Sequence, residues 1–114
     1  MDTLNAGDAI ITYNESESKM VFEGSMRLAN MKEYDVVSSF LRKSIDDTDD
    51  PVVLDLRLLQ FLNSSGITTL SLFILSCKKA GKPQIKVLGS ESISWQQKSI
   101  SNFKKLWNDV EIVI

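Results

Sequence analysis

The chain has 114 residues, 43% of them hydrophobic and 25% charged, with a formal net charge of −2, one cysteine and no histidine. That is the length and composition of one folded domain. The missing imidazole excludes Ser-His-Asp triads, Cys-His pairs, histidine metal sites and histidine proton shuttles.

Other classes fall with the remaining composition. A weakly acidic chain lacks the positive field that nucleic-acid binding needs. No apolar run approaches the roughly 18 to 20 residues that cross a bilayer. The start, "MDTLNAGDAI", is acidic and has no signal-peptide pattern, and one cysteine forms no internal disulfide, so a cytoplasmic location is expected. Charge is uneven. Residues 1–57 carry twelve acidic and six basic side chains, and residues 58–114 carry three acidic and seven lysines. Those lysines either complement helix dipoles or attract an acidic partner.

"AIITY" (9–13) and "MVFEG" (20–24) read as short strands, and the polar turn between them predicts an antiparallel hairpin. Asn30 with Glu33 has capping-box spacing, and Tyr34, Val37, Leu41 and Ile45 recur at helical steps. "DDTDD" and Pro51 stop that helix. "VVLDL" (52–56) is a nearly continuous apolar run, expected of a central strand covered on both faces. A second helix is expected from about Ser64 to Ala80, ended by Gly81 and Pro83. "QIKVLG" (84–89) is a further strand. Ser94 with Gln97 forms a second capping-box pattern that opens a third helix reaching about Trp107, and "VEIVI" (110–114) closes the chain. Alternating strands and helices after residue 51 predict right-handed crossovers and an α/β fold with one mixed, mostly parallel sheet and three to four helices, a single domain over 1–114.

On the second helix, Ile67, Leu70, Ile74 and Cys77 share the core face, with Phe73 at its edge. Cys77 is then a small core residue. Thr68, Leu72, Leu75 and Lys79 lie elsewhere. Leu72 is either covered by a neighbouring helix or exposed together with Leu75 as a partner surface. On the third helix Ile100, Phe103 and Trp107 are core, while Trp95 is either a staple over the helix start or a half-exposed partner anchor.

The stretch "FLNSSGITTL" (61–70) puts two hydroxyls where strand turns into helix. Asn63 or Ser64 can cap the helix, and Gly66 permits close packing in the first turn. A cap needs one side chain, so the second hydroxyl asks for another role. "NSSG" lacks the first glycine of a nucleophile elbow, and "KKAGK" (78–82) is no phosphate loop, so catalysis is not expected. A phosphate on Ser64 would add about −1.5 to −2 charges at a helix end that tolerates anions, a switch needing no base.

"VVLDLRLLQFLNSSGITTL" resembles the central signature of STAS domains, the sulphate transporter and anti-sigma factor antagonist family, with an apolar strand, Asp-Leu, and a serine pair before a helix. "FEGSM" and "VEIVI" resemble the family's second and closing strands. The resemblance implies a bacterial anti-sigma factor antagonist without catalytic activity, cofactor or metal. It implies phosphorylation at Ser64 (Ser65 second) by an anti-sigma factor or serine kinase of histidine-kinase-like ATPase fold, with a serine phosphatase reversing it. Partner contacts are then expected at Asn63, Ser65, Thr68, Leu72, Leu75, Trp95 and Arg27. The alternative is an unphosphorylated STAS interaction module acting as adaptor or assembly subunit. Two departures bear on the partner: Asn63 stands where the family usually has Asp, and "GSMR" (24–27) replaces an acidic Gly-Glu-Leu-Asp turn, so that Arg27 is placed to meet an anion at Ser64.

Overall fold

The computed structural model describes residues 2–114. Six strands form one sheet in the order β1-β2-β3-β4-β5-β6. They are β1 (Asp2–Ala6), β2 (Asp8–Asn14), β3 (Lys19–Met26), β4 (Val52–Leu62), β5 (Ile85–Leu88) and β6 (Val110–Val113), with helices α1 (Met31–Ser44), α2 (Ser64–Lys79) and α3 (Ser94–Phe103). β1, β2 and β3 pair antiparallel, and β3 through β6 pair parallel. The expected mixed, mostly parallel α/β sheet is what forms, with three helices.

α1 packs against α2 and α2 touches α3, so the helices line one face of the sheet. Inward residues of alternate strand positions, among them Ile11, Tyr13, Met20, Phe22, Leu54, Leu56 and Val87, meet Tyr34, Val37, Leu41, Leu70, Phe73 and Ile74 from the helices. The other face of β4 carries no helix. Asp55 lies there, only 5% exposed, because Arg57 grips its carboxylate with Nε and Nη2 at 2.9 and 2.7 Å and Lys19 stands at 3.6 Å. The two-sided burial expected of "VVLDL" is therefore helix packing on one side and an ion cluster on the other.

Local readings differ from the structure in four places. β1 lies outside the strands the sequence predicts, and β4 runs on to Leu62 instead of ending at residue 56. The pattern at Ser94 makes no capping box: Ile93 is the cap residue and makes no side-chain hydrogen bond. α3 stops at Phe103, and Trp107 is buried beyond its end. The first helix start does form as expected, with Asn30 Oδ1 accepting from the Glu33 N–H at 3.0 Å.

Candidate functional site

β4 delivers the chain to the N-terminus of α2, where Asn63 caps the helix. Its Oδ1 accepts from the Gly66 N–H at 3.0 Å and from the Tyr34 hydroxyl at 2.6 Å, and its Nδ2 donates to the Leu28 carbonyl at 2.9 Å. Tyr34 comes from the first turn of α1 and is fully buried, and that burial raises its phenol above the ordinary value. Both ends of the Asn63 amide are used. A carboxylate has no donor for the Leu28 carbonyl, which is a structural reason for an amide at this position. Gly66 sits against Leu62 and the Tyr34 hydroxyl, and a Cβ there would lie 2.8 Å from Tyr34 Oη. The glycine is required by this close approach, as the sequence suggested.

With Asn63 as the cap, Ser64 is the first residue of α2 and is freed from capping. Its side chain is exposed, Ser65 is half-buried, and neither hydroxyl bonds another described residue. The Ser65 carbonyl instead accepts from the Thr69 hydroxyl at 2.8 Å. At 100° per residue, Ser64, Thr68, Leu72 and Leu75 follow one another along the outer side of α2. Thr68 is exposed, Leu72 is 46% exposed and Leu75 is half-buried. Leu72 is therefore not covered by a neighbouring helix, and Leu75 is only partly open beside it. Phe73, expected at the edge of the core face, is buried outright.

Trp95 and Arg27 are placed elsewhere. Trp95 is half-buried and its Nε1 donates to the Leu59 carbonyl at 3.2 Å, so the indole is tied to β4 over the helix start. The Arg27 guanidinium lies 4.4 Å from the centre of the Phe61 ring, a cation–π contact.

One buried polar residue, Gln96, carries no sequence signature. Gln96 is fully buried, donating from Nε2 to the Leu56 and Leu59 carbonyls at 2.6 and 3.0 Å and accepting the Ser90 N–H at 2.7 Å. β5 pairs with β4 only from Val52 to Asp55. The second half of β4 has no strand on that side, and α3 supplies side chains in place of one. No local signal in the sequence marks it, because "VVLDL" reads as a shorter strand than "QIKVLG".

Among the described residues there is no cluster of metal-ligating side chains, and no helix is long and apolar enough to cross a membrane. The site has hydroxyls, an amide and leucines, without a base or a nucleophile activated by one.

No protein-family model and no curated protein matches the chain. Solved structures of SiaC from Pseudomonas aeruginosa share its fold. Apo-SiaC superposes with a TM-score of 0.71 at 15% identity, over 100% of both chains. A chain in the crystal structure of the diguanylate cyclase SiaD in complex with its activator SiaC gives 0.72 at 15% identity, over 98% of each chain. A further SiaC structure gives 0.67 at 16%, over 100% of this chain and 98% of the other. These neighbours are described as an activator and its complex with an enzyme. None of them supports an anti-sigma factor, a kinase or a phosphatase as the partner here. At this identity the likeness establishes the architecture: a single α/β domain with a six-stranded mixed sheet and three helices, built as in SiaC.

Proposed function

We propose that this protein is a non-catalytic regulatory interaction module that docks on a partner protein through the outer side of α2. The observation that carries the reading is the row Ser64, Thr68, Leu72 and Leu75, which leaves a large leucine 46% exposed on a helix whose opposite side is fully buried. An exposed leucine with a half-buried one beside it, among polar side chains, suits a protein contact. The shared fold with a protein described as an enzyme's activator supports regulation by binding. Which enzyme or factor is bound does not pass from one chain to the other at 15% identity.

The test is capture of a defined partner by the tagged chain in its own cells. Leu72→Lys changes an exposed side chain, so the variant keeps its circular dichroism and melting temperature while losing the partner recovered by the wild type. Equal capture by both proteins would move the interface off α2, and unfolding of the variant would return Leu72 to the core.

A second reading rests on Ser64. It is exposed at the first turn of α2, unused by the cap, and beside backbone N–H groups of a helix N-terminus that accommodate negative charge. Phosphorylation there would place a dianion on the docking surface and turn binding off. Peptide mass spectrometry of residues 63–71 from native cells checks the modification. Partner capture by Ser64→Ala and Ser64→Asp checks the consequence, with alanine retaining the partner and aspartate losing it.

A further inference from the structure

Below the Ser64 end, the C-terminal half of α2 lines an open groove of about 790 Å3 that Arg42 of α1 borders. Its lining is Arg42 from α1 and Leu72, Leu75, Ser76, Lys78 and Lys79 from α2. The two leucines are one helical turn apart and form the apolar part. Every ionisable group in the lining is cationic. Among the described residues, the ion pairs involve Lys19 and Arg57, and none involves Arg42, Lys78 or Lys79.

We propose that this groove binds an acidic amphipathic helix of a partner protein, an inference that rests on the interaction-module reading and names the chemistry of what is bound. The partner's leucine-type side chains pack over Leu72 and Leu75, and its carboxylates meet Arg42, Lys78 and Lys79. This is helix-in-groove recognition, in which residues at steps of three and four fill the groove and flanking charges set direction.

Direction is set by a second feature. Lys82 follows α2, and its Nζ donates to the carbonyls of Ile45 and Thr48 at 2.8 and 2.6 Å. That holds the loop after α1 against the end of α2, and the loop carries Asp46, Asp47, Asp49 and Asp50. A docked helix must therefore end its acidic stretch before the loop, where its charge would be repelled. A lipid surface fits less well: the leucines line a concavity bordered by cationic side chains, and a bilayer needs apolar groups that project.

The probe is a fluorescein-labelled helical peptide of about 18 residues, long enough to be helical when bound. It carries leucines at steps of three and four with glutamates beside them, and a control peptide replaces every glutamate by lysine. The full chain is titrated with each by anisotropy, and the bound state is mapped by amide chemical shifts. The glutamate peptide binds more tightly than its lysine counterpart, by roughly tenfold or more, and weakens with salt. Shifts fall on Arg42, Leu72, Leu75, Lys78 and Lys79, and the double variant Lys78→Glu, Lys79→Glu reverses the preference.

Equal binding of the two peptides, no binding, or shifts outside the groove would overturn the proposal. So would binding to vesicles containing phosphatidylglycerol by a chain that ignores the peptide, or binding of a second copy at this face. The titration uses no native partner, so its failure leaves the partner-capture result for Leu72→Lys standing. Conversely, a partner captured elsewhere on the surface would refute the module's docking face while the peptide preference persisted.

Discussion

The Tyr34 hydroxyl donates to Asn63 Oδ1 at 2.6 Å, across 29 residues of sequence, and so joins the first turn of α1 to the cap of α2. The same oxygen of Asn63 caps the Gly66 N–H, and the amide nitrogen holds the Leu28 carbonyl. One amide thereby ties the first turn of α1 to the start of α2 and to the chain before α1.

Tyr34→Phe and Asn63→Ala are each expected to destabilise the fold, by about 1–2 kcal/mol for the lost buried hydrogen bond and about 2 kcal/mol for the lost cap. Because they share one bond, the double variant costs less than the sum of the two. Asn63→Asp keeps the cap and the tyrosine bond, gains from the helix dipole, and loses only the contact to Leu28, so its net change stays within about 1 kcal/mol. Urea unfolding of the four variants measures all of this. An additive double variant would show that the two side chains do not act together.

Gln96→Leu fills similar space and strands the Leu56 carbonyl and the Ser90 N–H, while the Leu59 carbonyl keeps Trp95. The expected cost is about 2–4 kcal/mol, from two buried groups left unpaired. A melting temperature near that of the wild type would mean that water replaces the amide.

Burial pushes the Asp55 carboxyl up, but the hydrogen bonds from Arg57 and the charges of Arg57 and Lys19 outweigh it, and the group is held below its ordinary value of 3.8. A carboxyl whose folded value is depressed contributes stability above its unfolded value and loses that contribution as pH falls through the folded one. Asp55→Asn is therefore expected to cost about 1–2 kcal/mol at neutral pH, toward the lower side because Arg57 is more than half exposed. The gap between variant and wild type narrows as pH drops below 3.8. Urea unfolding of both proteins across the acid range checks the sign; a gap that widens toward low pH would refute it.

Cys77 is 1% exposed and burial pushes its thiol up to about 11, against a smaller pull down from Lys82 and Arg42. In the folded protein an aromatic disulfide reagent at about pH 8 should react at least about 100-fold more slowly than with the urea-unfolded chain. Comparable rates would place the thiol at the surface.

What was legible in the sequence follows from short-range periodicity. Tyr34, Val37 and Leu41 at steps of three and four marked the buried side of α1, and Leu70, Ile74 and Cys77 marked that of α2. The end of α2 was readable for the same reason: Gly81 adopts φ 76°, a conformation that favours glycine, just past the last turn. The serine pair announced a helix start, and Asn63 was one of two residues able to cap it. These are local properties, and neighbours within four or five residues settle them.

The tertiary structure decided the rest. "DTLNA" is a strand only because β2 lies beside it, and a short polar segment has no periodicity of its own to show. Whether Leu72 was covered depended on where α1 sits, and α1 leaves it open. The choice between Asn63 and Ser64 as cap depended on Tyr34, 29 residues away, and settling it for Asn63 left Ser64 at the surface. Gln96 is buried because β5 is too short to satisfy β4, a fact about strand lengths meeting in space. The sequence by itself determined which side of each helix is apolar. Only the packing of elements far apart in the chain determined which polar groups are consumed by the fold and which remain for a partner.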